Sequence, residues 1–226
     1  MAKSTEFLKN LSSAISEERL APFRREAAQG GELAPYARYF WNIALSESLY
    51  PCLQALEITL RNSLHEVISV DKGTEDWFED ILVDQDKPAL EEIKNRLFSH
   101  SIGPVAGQIV ANSDFGFWAR LLNSRYENIL WPRLLQNAFP FMPASIRTRK
   151  TLSKRLNRVR ALRNRAFHYE PIWNDPHLAE KHEEMKETMA WINPAMLVAV
   201  TLFDRFSEVY ATSSGHYETA LSNYLR

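Results

Sequence analysis

Between residues 37 and 70, apolar side chains recur at three- and four-residue steps: Leu49, Leu53, Leu56, Leu60, Leu64 and Val67. At about 100° per residue these positions share one stripe, so the spacing predicts a long helix with that stripe turned to a core. Pro51 falls inside it and is expected to bend or restart it, because proline has no N–H and crowds the preceding turn. A second stripe, Leu152, Leu156, Val159, Leu162 and Ala166, predicts a helix over Thr151–Phe167, which Pro171 should end. Between the two, Pro88–His100 reads as a short surface helix with Leu90, Ile93 and Leu97 inward, followed by a Gly/Pro break over 101–107. Ser113 or Asp114 is placed to cap a helix through Phe115, Trp118, Leu121 and Leu122. A further helix is expected over Tyr126–Leu135 around Pro132, then a connector carrying Pro140 and Pro143. Asp175-Pro176 and Asn193-Pro194 each give a cap followed by a first helical turn, so two final helices are expected, and apolar Pro194–Phe203 reads as a core helix.

With 7 glycines in 226 residues and few alternating β-branched runs, this pattern predicts an all-α chain. No internal repeat, heptad array or linker is visible, so 1–226 reads as one helical domain. Within it, 1–36 is an N-terminal extension, 37–70 is the first polar-motif helix, 147–172 is the basic helix that carries the RNxxxH motif, and 173–226 holds the C-terminal helices. Hydrophobic residues at 45% and charged residues at 24% argue against disorder. The single cysteine, Cys52, excludes an internal disulfide and fits a reducing compartment, and the first twenty residues do not resemble a signal peptide. Pro194–Phe203 is far short of the roughly 20 residues a membrane span needs. A cytoplasmic protein without a membrane partner is expected.

The net charge of −1 hides an asymmetry. Asp71–Glu92 is rich in acids, whereas Arg147–Arg165 places nine cations in nineteen residues with no acid: Arg147, Arg149, Lys150, Lys154, Arg155, Arg158, Arg160, Arg163 and Arg165. Such a helix either neutralises phosphates of a nucleic acid or answers the acidic segment within the chain.

Two smaller constellations can carry chemistry. Histidine exchanges protons near neutral pH, and a guanidinium stays charged and forks onto phosphate oxygens. Arg163 stands five residues before His168, a spacing that separates side chains by about 140° on an ideal helix. From spacing alone a helix end, with arginine and histidine near free carbonyls, explains them better than a site. Glu57, Arg61 and His65 advance by four residues, about 40° per step, and so share one face as an ion-pair ladder or as support for a catalytic centre. His177 and His182 lack the spacing of zinc proteases, and no phosphate-binding or dinucleotide-binding glycine loop or nucleophile elbow occurs, so neither metal nor cofactor is expected. Trp41, Phe117, Trp118, Trp131 and Trp173 can stack on bases, but aromatics at helical spacing are more often core.

Three blocks, WNIALSESLYPCLQALEITLRN (Trp41–Asn62), FGFW (Phe115–Trp118) and LRNRAFHYEPI (Leu162–Ile172), together resemble the Abi-like abortive-infection proteins of bacteria, members of the HEPN superfamily. RNRAFH fits the HEPN pattern of an arginine, usually a following asparagine, and a histidine four to six residues after the arginine. The resemblance implies a HEPN-like helical bundle that forms a homodimer with two motifs facing one cleft, and a metal-independent ribonuclease acting in phage defence. It implies RNA as substrate and an antitoxin or regulatory RNA as a candidate restraining partner. His168 would be the acid or base at the ribose 2′-hydroxyl and leaving oxygen, Arg163 would stabilise phosphate charge, and Asn164 would orient the pair. The products would be a 2′,3′-cyclic phosphate and a 5′-hydroxyl. Glu57, Arg61, Asn62 and His65 would form a supporting shell, Tyr169 and Glu170 match the family, and Lys154, Arg155, Arg158, Arg160 and Arg165 would bind RNA. The rival expectations are a catalytically silent RNA-binding module and a protein-interaction adaptor.

Overall fold

The computed structural model describes residues 2–25 and 31–226; Met1 and residues 26–30, which fall in the expected N-terminal extension, lie outside the described residues. Every regular element among the described residues is helical, as the periodicity predicts. The chain divides into two compact units, one built from residues 1–50, 162–182 and 204–226, the other from 51–161 and 183–203.

The first unit opens with α1 (Ala2–Ile15) and α2 (Glu17–Arg25), neither of which the sequence pattern singled out. Leu8, Leu20 and Tyr36 form their buried core, and the Tyr36 hydroxyl donates to the Leu8 carbonyl at 3.3 Å. The long expected helix is α3 (Ala34–Lys72), which passes from the first unit into the second at Pro51. Pro51 does not restart it. The carbonyl deprived of a donor belongs to Glu47, which is exposed, so the lost bond falls where water can replace it. The buried stripe runs through Leu49, Leu53, Leu56, Leu60 and Leu64 as expected, extends back to Leu45, and ends on Ile68, with Val67 at its edge only partly covered. Gly73, at φ +69°, stops the helix while Thr74 N–H donates to the Ser69 carbonyl, a Schellman closure that a left-handed glycine permits.

The second unit continues with α4 (Phe78–Ile81), α5 (Lys87–Ser99), α6 (Ala106–Asn112) and α7 (Phe115–Arg120). Leu90, Ile93 and Leu97 of α5 are buried as their spacing demands. The Asp114 side chain caps α7 by accepting the Phe117 N–H at 2.7 Å. The helix expected over Tyr126–Leu135 does not form: turns lead to a single helical turn, α8 (Leu135–Ala138), because Pro132 can neither donate nor accommodate the preceding turn. Buried Asp86 ties this irregular region down, accepting from Arg125 at 2.7 Å and from the Tyr126 hydroxyl at 2.7 Å. Burial and that bond push the Tyr126 phenol well above its ordinary range.

Next come α9 (Arg149–Phe167), whose five stripe residues are all buried, and α10 (Leu178–Ile192). Asp175 accepts the His177 N–H at 3.0 Å ahead of α10, and Asn193 accepts the Met196 N–H at 3.2 Å at the start of α11 (Pro194–Thr201), as both cap signatures predict. The expected core character of Pro194–Phe203 is corrected: Val198, Leu202 and Phe203 are 65%, 83% and 58% exposed, and only Val200 of α11 is buried. An apolar run has no polar face to mark which side a neighbour will cover, so composition alone overstates its burial. A further helix that the caps did not announce, α12 (Phe206–Tyr224), follows in the first unit, with a kink at Ser213. No helix among the described residues is long and apolar enough to cross a membrane.

Candidate functional site

The C-terminal end of α9 lies in the first unit and carries the Arg163, Asn164 and His168 motif. The helix closes in a Schellman arrangement: Tyr169 N–H donates to the Ala166 carbonyl at 3.2 Å, and Glu170 N–H to the Arg165 carbonyl at 2.8 Å. The position that favours glycine in this closure is occupied by Tyr169, at φ +60°. His168 is therefore the capping residue, exposed, with its N–H bonded to the Asn164 carbonyl at 2.9 Å. The helix stops three residues before Pro171, which is more than proline alone explains.

Side chains from elsewhere hold this end. Arg19 of α2 donates to the carbonyls of His168, at 3.3 Å, and Tyr169, at 3.0 Å, and its guanidinium carbon lies 5.8 Å from the Tyr169 ring centroid. A cation there neutralises the negative end of the helix dipole. Arg165 donates to the Pro171 carbonyl and pairs with Asp175 at 3.4 Å. Burial raises the Asp175 carboxyl, but Lys181, the His177 N–H and Arg165 more than offset it, leaving the group below its ordinary range. Buried Asn42 of α3 completes the support, donating to the Glu170 carbonyl at 3.2 Å and accepting the N–H groups of Ile172 at 2.6 Å and Trp173 at 3.1 Å.

Arg163 is half-buried, its guanidinium carbon 4.9 Å from the Phe167 ring centroid, and Phe167 meets Tyr50 edge-on at 6.1 Å. Asn164, His168, Tyr169 and Glu170 are exposed. The carbonyls that close α9 are met by Arg19, which the sequence pattern missed. Its signal was only an arginine in a polar stretch, and the 149 residues separating it from His168 hide the contact. Asn42 left a slightly clearer trace, as an amide three residues before Leu45, where the buried stripe of α3 begins.

The α3 residues Glu57, Arg61, Asn62 and His65 belong to the second unit. Arg61 donates to the Ala111 carbonyl at 3.3 Å. His65 Nδ1 lies 3.1 Å from the Trp77 indole nitrogen, which can only donate, so Nδ1 accepts and His65 is held neutral. Burial lowers its pKa, opposed by Glu75, and its ring stacks on Phe78 at 5.9 Å. Asn62 is exposed and Glu57 half-buried.

Several cations of α9 are answered by acids outside the acidic segment. Arg149 pairs with Glu127, Arg155 with Glu187, and Arg158 with Glu184 at 2.8 Å. Acids of the 71–92 segment turn instead to Arg133, Arg125 and Lys94. Lys150 and Lys154 remain exposed, and Arg160 is half-buried. His177 pairs with Glu180 on the surface, whereas His182 is buried, 2.9 Å from Asp204 and stacked on Phe206 at 4.2 Å. The two histidines thus point into different surroundings. Phe117, Trp118 and Trp131 are core, and Trp41 and Trp173 are half-buried.

Comparison of the chain with protein-family models, with curated proteins and with solved structures returned no match.

Proposed function

We propose that this chain is a metal-independent endoribonuclease of the HEPN type, acting as a homodimer in phage defence and restrained by an antitoxin or regulatory RNA until infection. The observation that carries the reading is the placement of His168: an exposed imidazole on a helix end whose backbone is bonded to Asn164 on one side and to Arg19 on the other. A proton-transfer group on a fixed backbone, next to a helix turn bearing a guanidinium, suits acid–base chemistry at a phosphodiester. His168 takes the proton of the ribose 2′-hydroxyl, the 2′-oxygen forms a bond to phosphorus, and the bond to the 5′-oxygen breaks as that oxygen takes a proton from the imidazolium so formed. Arg163 stabilises the charge that builds on the phosphoryl oxygens. The His168 N–H is bonded to the Asn164 backbone carbonyl one turn earlier, and the exposed Asn164 amide is the group that would orient the pair.

A catalytically silent RNA-binding module would lean on the cations of α9. The ion pairs of Arg155, Arg158 and Arg165 with Glu187, Glu184 and Asp175 weigh against it.

The test is incubation of wild type and His168→Ala with total RNA in EDTA, followed by end-group analysis. Cyclic-phosphate ends from wild type alone support the nuclease. Intact RNA in both samples, with RNA affinity retained, favours the silent module. Cleavage abolished by EDTA and restored by magnesium overturns the metal-independent route.

A further inference from the structure

A cleft of about 500 Å³ in the second unit opens between α3, α5 and the α6–α7 segment, and three arginines from three helices line it: Arg61, Arg96 and Arg120. We propose that this cleft binds a small phosphate monoester, such as a nucleotide. It holds none of Arg163, Asn164 and His168, but Arg61 and Glu57 on its wall are the residues the nuclease reading places in its supporting shell; the binding test below reads the cleft without relying on RNA cleavage.

Backbone carbonyls aim the first two guanidiniums. Arg61 donates to the Ala111 carbonyl at 3.3 Å and Arg96 to the adjacent Asn112 carbonyl at 3.0 Å, at the C-terminal end of α6. Consecutive carbonyls bring the two side chains next to each other. A guanidinium has five N–H donors, and a bond to a neutral oxygen orients the fork without cancelling its charge. Arg61 Nε is buried and has no hydrogen-bond partner among the described residues. A buried donor left unmade is costly, and in a native site it usually marks a place where water or a ligand completes the bond.

Arg120 adds a third cation, and the acid it pairs with is shared. Its Nε lies 3.4 Å from Asp86, whose carboxylate is bound more closely by Arg125 and the Tyr126 hydroxyl, each at 2.7 Å.

Glu57, Glu92 and Asp114 also line the cleft. Asp114 is committed to capping α7 through the Phe117 N–H, and Glu92 stands exposed. Acids and arginines are therefore matched in number, so recognition must come from the fork geometry of the guanidiniums rather than from bulk positive charge. That favours a compact dianion over a long polyanion. The volume exceeds what a bare phosphate fills and matches the range of small-molecule sites, with Ile93 and Phe117 as apolar wall for the organic part.

Calorimetric titration of the full chain with inorganic pyrophosphate and with adenosine 5′-monophosphate, at constant ionic strength, tests the site. Sulfate serves as the control anion, and Arg96→Ala and Arg61→Gln as variants. Arg96 is exposed, so its loss spares the core. The expected result is saturable binding of one nucleotide per chain, weakened about tenfold or more in each variant that remains folded by circular dichroism. Absence of saturable binding of adenosine 5′-monophosphate overturns the proposal, whether or not pyrophosphate binds. Equal affinity in folded Arg96→Ala, or sulfate binding as tightly as pyrophosphate, overturns it as well.

Discussion

Asn42, buried in α3, accepts the Ile172 N–H at 2.6 Å, and so fixes the chain four residues after His168 to a helix far earlier in the sequence. The same side chain accepts the Trp173 N–H and donates to the Glu170 carbonyl. Its removal strands two donors and one acceptor at the end of the motif. Asn42→Ala should lower stability by about 3 kcal/mol, since each buried polar group left without a partner costs roughly 1–3 kcal/mol, part of which water recovers. Asn42→Asp, which keeps the acceptor and loses the donor, should fall between the two. Urea denaturation of the three proteins measures this, and amide exchange at Ile172 should speed up in step with the loss.

Tyr169 sits in the left-handed region, where a side chain costs roughly 1–2 kcal/mol and glycine costs little. Tyr169→Gly should therefore be more stable than Tyr169→Ala by about 1 kcal/mol, the reverse of the order in a helix interior. Lys154, exposed within α9, supplies the control: there the alanine variant should be the more stable. Thermal melts of the four variants decide the point. If alanine wins at both positions, the backbone at Tyr169 is not strained.

The all-helical architecture was legible because stripes such as Leu152, Leu156, Val159, Leu162 and Ala166 repeat with the helical period and need no partner to be recognised. Local caps were equally readable, since Asp114 and Asn193 bond within three residues of themselves. Long-range polar contacts left no such trace. Arg19 reaches across 149 residues to the His168 carbonyl, and Asn42 across 130 to the Ile172 N–H. The charge run of α9 was visible, but its neutralisers were not, because Glu184 and Glu187 face it from α10, well away from the acidic cluster around residues 71–92. Apolar composition misread α11 for the opposite reason: it records what a helix can bury, not what covers it.

Burial holds the His65 pKa below the ordinary histidine value of 6.5 in the folded protein. The folded state thus resists a proton that the unfolded chain accepts, so the unfolded state binds more protons at acid pH and stability falls. His65 contributes its full share above the unfolded value near 6.5, and that share is lost as pH drops from there toward the lowered folded value. Urea midpoints from pH 7.5 down to 5 should show this slope in wild type, and a shallower one in His65→Gln, which has no imidazole to protonate. Parallel slopes would mean that His65 takes up its proton as readily in the folded protein as in the unfolded chain, and that burial does not hold it neutral.

Lys154 and Arg155 are sequence neighbours, and if the chain binds RNA as proposed, only Lys154 is free to contribute a phosphate contact. Lys154 is exposed, whereas the Arg155 side chain is 17% exposed, paired with Glu187 and stacked 4.2 Å over the Trp191 ring. Freeing its guanidinium for a phosphate means giving up both partners, a loss that one exposed phosphate contact in water does not repay. On a single strand, each phosphate neutralised adds about 0.7 to the slope of log affinity against log salt. Lys154→Ala should lower the RNA-binding slope by about that amount. Arg155→Ala should leave the slope unchanged and reduce stability instead, because it leaves Glu187 without its cation and Trp191 uncovered. A drop in slope with Arg155→Ala equal to that of Lys154→Ala would mean that RNA displaces Glu187, and that the ion pairs of α9 are a store of phosphate-binding charge rather than its neutralisation.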